Sequence, residues 1–104
     1  GDIEGKNIVI VDDMVDTAGP ISVAAGMMKS EGAQSVRVVA THPVLSGPAY
    51  ERIEQSPIDE VIVTDTIPLK GSSDKIKVIS VAEHFADVID KVYNYKSISD
   101  TYIR

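Results

Sequence analysis

The sequence has 104 residues, of which 43% are apolar, and this suits one compact domain with its own hydrophobic core. A formal net charge of −6 argues against nucleic-acid binding, and no apolar run approaches the roughly 20 residues that a membrane span needs. The absence of cysteine excludes disulfides and thiolate metal sites, and it favours a cytoplasmic protein.

Apolar spacing predicts elements that alternate between strands and helices. In chain order they are a strand at 7–11, a helix at 17–31, a strand at 35–40, a helix at 49–55, strands at 61–64 and 77–79, and a last helix whose apolar stripe runs from Val81 to Val92. This order predicts an α/β fold with three layers, α/β/α, around a mainly parallel sheet. Ligands of such sheets bind beyond the carboxyl ends of the strands, so we expect a site in the loops at 12–20 and 41–47.

The segment that joins the first strand to the first helix, residues 11–20, reads Val-Asp-Asp-Met-Val-Asp-Thr-Ala-Gly-Pro. Its small residues at a helix N-terminus suit a phosphate, because backbone N–H groups and the positive end of the helix dipole favour an anion. Asp12 and Asp13 would repel that phosphate, so we expect them to bind sugar hydroxyls, or Mg²⁺ shared with those hydroxyls. The alternative is that Asp13 or Asp16 caps the helix while Asp12 is solvated.

This segment resembles the phosphoribosyl-pyrophosphate (PRPP) loop of the type I phosphoribosyltransferase fold. Its Asp-Asp-Met and Asp-Thr-Ala-Gly sequences resemble those of ribose-phosphate pyrophosphokinases in particular. The resemblance continues in order through Thr-His-Pro-Val-Leu-Ser-Gly at 41–47, Thr-Asp-Thr-Ile-Pro at 64–68 and Lys-Ser-Ile-Ser at 96–99. It implies that residues 1–104 form a single domain equivalent to the C-terminal half of the enzyme, with the N-terminal half absent.

The resemblance also implies roles for individual residues. Asp12 and Asp13 would hold the ribose hydroxyls, together with Mg²⁺. The 5-phosphate would be held by Asp16, Thr17, Ala18, Gly19 and Pro20. Further site-lining residues would be Thr41 and His42, and a regulatory phosphate or ADP site shared with a neighbouring subunit would include Ser97, Ser99 and Tyr102.

The family uses ATP and Mg²⁺ to transfer a pyrophosphoryl group to C1 of ribose 5-phosphate, which gives PRPP. The resemblance implies that the absent half supplies the adenine site and the catalytic loop, so we expect no activity from these 104 residues alone. Because the chain does not begin with Met, we expect a processed or excised piece. Apolar surface left by the absent half would favour a homo-oligomer.

One residue departs from the family pattern, since Pro20 stands where the family normally has Thr. Proline supplies neither the hydroxyl nor the backbone N–H that Thr would donate to the phosphate, so we expect weaker binding of ribose 5-phosphate. This departure favours one alternative, a non-catalytic regulatory module associated with PRPP synthetase. A second alternative is a phosphoribosyltransferase, and the paired Asp-Asp argues against it.

Overall fold

The computed structural model describes residues 2–80, so the last predicted helix and the predicted regulatory residues Ser97, Ser99 and Tyr102 lie outside the described residues. Within this range the elements, in chain order, are β1 (Asn7–Val15), α1 (Gly19–Ser30), β2 (Ser35–Pro43), α2 (Ala49–Gln55), β3 (Glu60–Thr64) and β4 (Ile76–Ile79). The predicted α/β class is confirmed.

The strands form one parallel sheet in the order β1-β2-β3-β4. Helix α1 connects β1 to β2, and α2 connects β2 to β3, so both crossovers step in the same direction across the sheet. Crossovers of one hand that step in one direction place their helices on the same face, and α1 and α2 do contact each other. In the described residues the connection from β3 to β4, at 65–75, contains no helix.

The main core lies between this sheet and the two helices. It is a single cluster of buried side chains that includes Val36, Val38, Val61, Val63, Ile21, Ala25, Ala49 and Ile53. The alternate strand residues Val39, Ile62 and Ile79 are only 1%, 0% and 1% exposed, although they lie outside that cluster. The central strands are therefore buried on both faces. The unbroken apolar run at 7–11 predicts the same for β1, and this is wrong, because β1 is half-buried over residues 7–10 and exposed at Val11.

Strands β1 and β2 extend further than their apolar runs predict. The sequence predicts that the first strand ends at its acidic pair, but the ladder pairs Asp12 with Ala40 and continues until Val15 pairs with Pro43. Backbone hydrogen bonds to β2 outweigh the low strand propensity of aspartate, because the side chains of Asp12, Asp13 and Met14 face solvent while Val15 is buried. The predicted loops at 12–20 and 41–47 are therefore shorter, and residues 41–43 belong to β2.

No helix among residues 2–80 is long and apolar enough to cross a membrane.

The buried Ile53 side chain should hold α2 on the sheet, because it is fully buried within the main core. We predict that Ile53→Ala lowers the free energy of unfolding by about 2–5 kcal/mol, as large-to-small core substitutions do. Urea denaturation of the chain would measure this loss. Gln55→Ala is the matched control on the same helix, because Gln55 is exposed, and it should change stability by less than about 0.5 kcal/mol. Equal losses in both variants would contradict this account of the core.

Candidate functional site

A tight turn at residues 16–18 joins β1 to α1. Ala18 forms the N-cap position of α1 with φ 64° and ψ 11°, a left-handed conformation that costs a non-glycine residue about 1–2 kcal/mol. Its side chain is only 3% exposed, so packing offsets this cost. No side chain caps the helix, and backbone N–H groups of its first turn therefore stay available to an anion.

The loop after β2 forms hydrogen bonds with Asp16, the first residue of this turn. The Ser46 hydroxyl donates to the Asp16 carboxylate, and the Ser46 N–H donates to the Asp16 carbonyl oxygen at 3.0 Å. The Leu45 N–H donates to the Val15 carbonyl oxygen, also at 3.0 Å. The alternative in which Asp13 or Asp16 caps α1 is therefore wrong, since α1 has no side-chain cap and no acidic residue in its first turn.

A cleft of about 190 Å³ borders the turn and brings together most of the predicted site. The predicted residues that line it are Asp12, Asp16, Thr17, Ala18 and Pro20. Asp13 and Gly19 do not line it. Consecutive side chains of a strand point to opposite faces, and this separates Asp13 from Asp12. Gly19 instead lines a groove between α1 and α2.

The carboxylates at this end of β1 are exposed and carry no basic partner in the described residues. The ion pairs found between residues 2 and 80, Lys29–Asp59 and Arg37–Glu60, involve other acids. The backbone N–H of Asp13 donates to Oδ1 of Asp12 at 2.8 Å, and this hydrogen bond helps to hold the Asp12 carboxylate in place. This end of the cleft is negative and suits hydroxyl donors or a cation, whereas the helix N-terminus suits an anion.

A complete metal site is not present in the described part of the chain. Between residues 2 and 80, no group of three or more His, Asp or Glu side chains lies close enough together to hold a metal ion. Asp12, the member of the acidic pair that lines the cleft, could supply one ligand, and the remainder would come from substrate and water. This ligand set fits Mg²⁺, which is usually bound by one or two carboxylates together with substrate oxygens and water.

The predicted site-lining residues Thr41 and His42 do not line this cleft. Nδ1 of His42 lies 3.1 Å from the hydroxyl oxygen of Thr66, and the Thr41 carbonyl oxygen accepts hydrogen bonds from the hydroxyls of Thr64 and Thr66. They form a separate polar cluster at the ends of β2 and β3. The sequence signal that could have indicated this polar cluster is the Thr-Asp-Thr sequence that begins at the last residue of β3.

Arg52, which sequence reasoning did not assign to the site, reaches it from α2. Its Nη1 atom donates to the carbonyl oxygen of Thr17 at 3.2 Å across a separation of 35 residues. No local sequence pattern signals this contact, because it depends on how α2 packs beside α1.

Comparison with known proteins identifies the family. Residues 1–103 match the family described as "Phosphoribosyl synthetase-associated domain". A ribose-phosphate pyrophosphokinase of Wolinella succinogenes is 52% identical over 103 residues, covering 99% of this chain and 33% of that protein. One of Campylobacter jejuni is 50% identical over 103 residues, covering 99% of this chain and 33% of that protein.

A solved structure, the phosphoribosylpyrophosphate synthetase from Mycobacterium smegmatis, matches this fold with a TM-score of 0.76 and 38% sequence identity. The match covers 91% of this chain and 33% of that one.

The chain thus spans about a third of the length of the relatives that it matches. The predicted extent of half an enzyme is wrong, and the comparisons do not support the predicted assignment to a C-terminal half. The resemblance itself is confirmed at the level of the family, because the curated relatives with about 50% identity share one name. The chain belongs to the phosphoribosyl synthetase-associated domain family, and its relatives are ribose-phosphate pyrophosphokinases.

Proposed function

We propose that this chain is the ribose 5-phosphate-binding part of a ribose-phosphate pyrophosphokinase, a transferase that uses ATP to form PRPP. The observation that carries the proposal is one cleft with two chemically opposite ends. One end is the uncapped N-terminus of α1 at Ala18, and the other is the Asp12 carboxylate. A sugar phosphate has the same two ends, since its phosphate suits the helix N-terminus and its hydroxyls donate to a carboxylate.

The contribution of this chain to the reaction is positioning. Phosphoryl transfer depends mainly on alignment and on neutralising the charge that spreads over the transferred group. No Lys or Arg of residues 2–80 lines the cleft, so that neutralisation needs groups from elsewhere. Mg²⁺ bound by Asp12 together with substrate oxygens would supply part of it. ATP and Mg²⁺ stay predictions from the family resemblance, and a cytoplasmic location stays a prediction from the absence of cysteine.

Exposed apolar side chains support a partner surface for this chain. Val11, Met14, Val23 and Met27 are 53%, 45%, 65% and 61% exposed. Two of them lie on β1, which is an edge strand of the described sheet and offers unpaired backbone groups. We propose that these exposed apolar side chains meet the remainder of the enzyme or a neighbouring subunit in a homo-oligomer.

Substitution of Pro20 tests the phosphate end of the cleft. We predict that Pro20→Thr tightens ribose 5-phosphate binding at least about tenfold, because it restores a hydroxyl and an N–H to the first turn of α1. Calorimetric titration with ribose 5-phosphate in Mg²⁺ would measure the change. Pro48→Thr is the matched control, because Pro48 precedes α2 and does not line the cleft. Unchanged affinity in Pro20→Thr would mean that the phosphate does not contact this turn.

Substitution of the two acids tests the hydroxyl end. We predict that Asp12→Asn weakens ribose 5-phosphate binding about tenfold, because a charged acceptor is lost from the cleft. Asp13→Asn should cost less than about threefold, because its side chain does not line the cleft. The same titration separates the two variants. Equal losses would show that both acids hold the sugar, as the family resemblance implies.

A reconstitution assay tests whether this chain binds ribose 5-phosphate while the rest of the enzyme supplies the other groups needed for catalysis. We predict that the chain alone forms no PRPP from ATP and ribose 5-phosphate, and that adding the other two thirds of the Wolinella succinogenes relative restores synthesis. That two-thirds piece alone and a mixture containing Asp12→Asn are the controls. PRPP formation by the chain alone would contradict the proposal. Ribose 5-phosphate binding without restored synthesis would favour the second candidate, a non-catalytic associated module, which Pro20 also favours.

A further inference from the structure

We propose that Arg52 is a positioning residue that orients the Thr17–Ala18 peptide for phosphate binding. The inference deepens the proposed function and rests on it. The contact that motivates it is the hydrogen bond of 3.2 Å from Nη1 of Arg52 to the Thr17 carbonyl oxygen. This bond joins α2 to the turn from outside the cleft, because Arg52 lines the groove between the helices and does not line the cleft.

The geometry of a peptide bond explains how a residue outside the cleft acts inside it. In a trans peptide the C=O of one residue and the N–H of the next point in opposite directions. Arg52 holds the Thr17 carbonyl towards α2, so the N–H of Ala18 points away from α2. Among the described residues, that N–H donates to no protein acceptor, and Ala18 lines the cleft. Arg52 therefore fixes the direction of the Ala18 N–H, from which a phosphate oxygen could accept a hydrogen bond.

The charge on Arg52 strengthens this donor as well as aiming it. A guanidinium that donates to a carbonyl polarises the whole peptide unit, and the N–H at its other end becomes a better donor. In the part of the chain that the structure describes, Arg52 forms no ion pair, because the pairs found involve Lys29 and Arg37. No carboxylate of these residues therefore competes for the guanidinium.

Two neighbours hold Arg52 in place. The next residue, Ile53, is fully buried and fixes the rotation of α2 against the sheet. Gly19 provides the space for the guanidinium, because a Cβ atom built on Gly19 would lie 3.0 Å from Nη1 of Arg52. Gly19 does not have a left-handed φ, so alanine can adopt its backbone conformation and would act mainly through this contact, which is closer than the 3.8 Å from the same Cβ to Oγ1 of Thr17.

Backbone order parameters of the ligand-free chain, measured by nitrogen-15 relaxation, test the positioning directly. We expect Arg52→Met to lower the order parameters of the amides at 17–19 from about 0.85 towards about 0.6, since the turn loses its anchor to α2. Arg52→Lys should restore part of this order, because an ammonium can still donate to the carbonyl. Gln55→Met is the matched control, since Gln55 lines the same groove and its amide bonds Glu51 instead of the turn.

Titration with ribose 5-phosphate provides the functional readout. We expect Arg52→Met to weaken binding about fivefold, Arg52→Lys to weaken it less, and Gln55→Met to leave it unchanged. Hydrogen exchange in β2 and β3 should match the original chain in every variant, which separates loss of positioning from loss of folding. If the order parameters at 17–19 are the same in Arg52→Met and Gln55→Met, the positioning role is overturned.

A double-mutant cycle tests whether Gly19 and Arg52 act together. Gly19→Ala should weaken ribose 5-phosphate binding in the original chain. In the Arg52→Met variant, the same substitution should weaken binding by less than about a further twofold. Fully additive losses would overturn the proposed coupling. If the original chain binds no ribose 5-phosphate, the proposed function fails, while the order parameters of the ligand-free turn still decide whether Arg52 positions it.

Discussion

The parallel pairing of β1 with β2 along the whole of both strands is the interaction on which the candidate site depends. It runs from Asn7 beside Ser35 to Val15 beside Pro43, well beyond the apolar run that starts β1. Because both strands end at the same edge, the turn after β1 and the loop after β2 emerge side by side. The hydrogen bonds of Leu45 and Ser46 with Val15 and Asp16 follow from that adjacency.

Helix α2 gives the site its second support. It has only seven residues, so its position depends on tertiary packing more than on intrinsic helix stability. Ala49 and Ile53 provide that packing, since both are fully buried in the core shared with α1 and the sheet. The turn is thus held at Asp16 by the loop after β2 and at Thr17 by α2. Both supports come from residues far along the chain.

The sequence predicts what local patterns encode and misses what depends on long-range pairing. Apolar runs predict the strands and helices, and the motif from Asp12 to Gly19 predicts where a ligand would bind. The sequence does not predict that β1 continues through Asp12. Backbone hydrogen bonds to β2 stabilise that continuation, and the residues of β2 that pair with β1 lie 28 positions later in the chain than their partners. The separation of Asp13 from the cleft follows from that same extension, and the contact of Arg52 with Thr17 depends on the packing of two helices.

The left-handed conformation of Ala18 determines when the turn at residues 16–18, the proposed phosphate site, acquires its shape. Ala18 adopts the unfavourable backbone conformation when the core forms around its buried methyl group. The free-energy cost of that conformation is therefore offset during folding and not during ligand binding. A ligand therefore encounters a turn that loses little conformational entropy on association. Substitutions that destabilise the domain but keep both supports of the turn would lower apparent affinity only by reducing the folded fraction, which ties ligand binding to folding cooperativity.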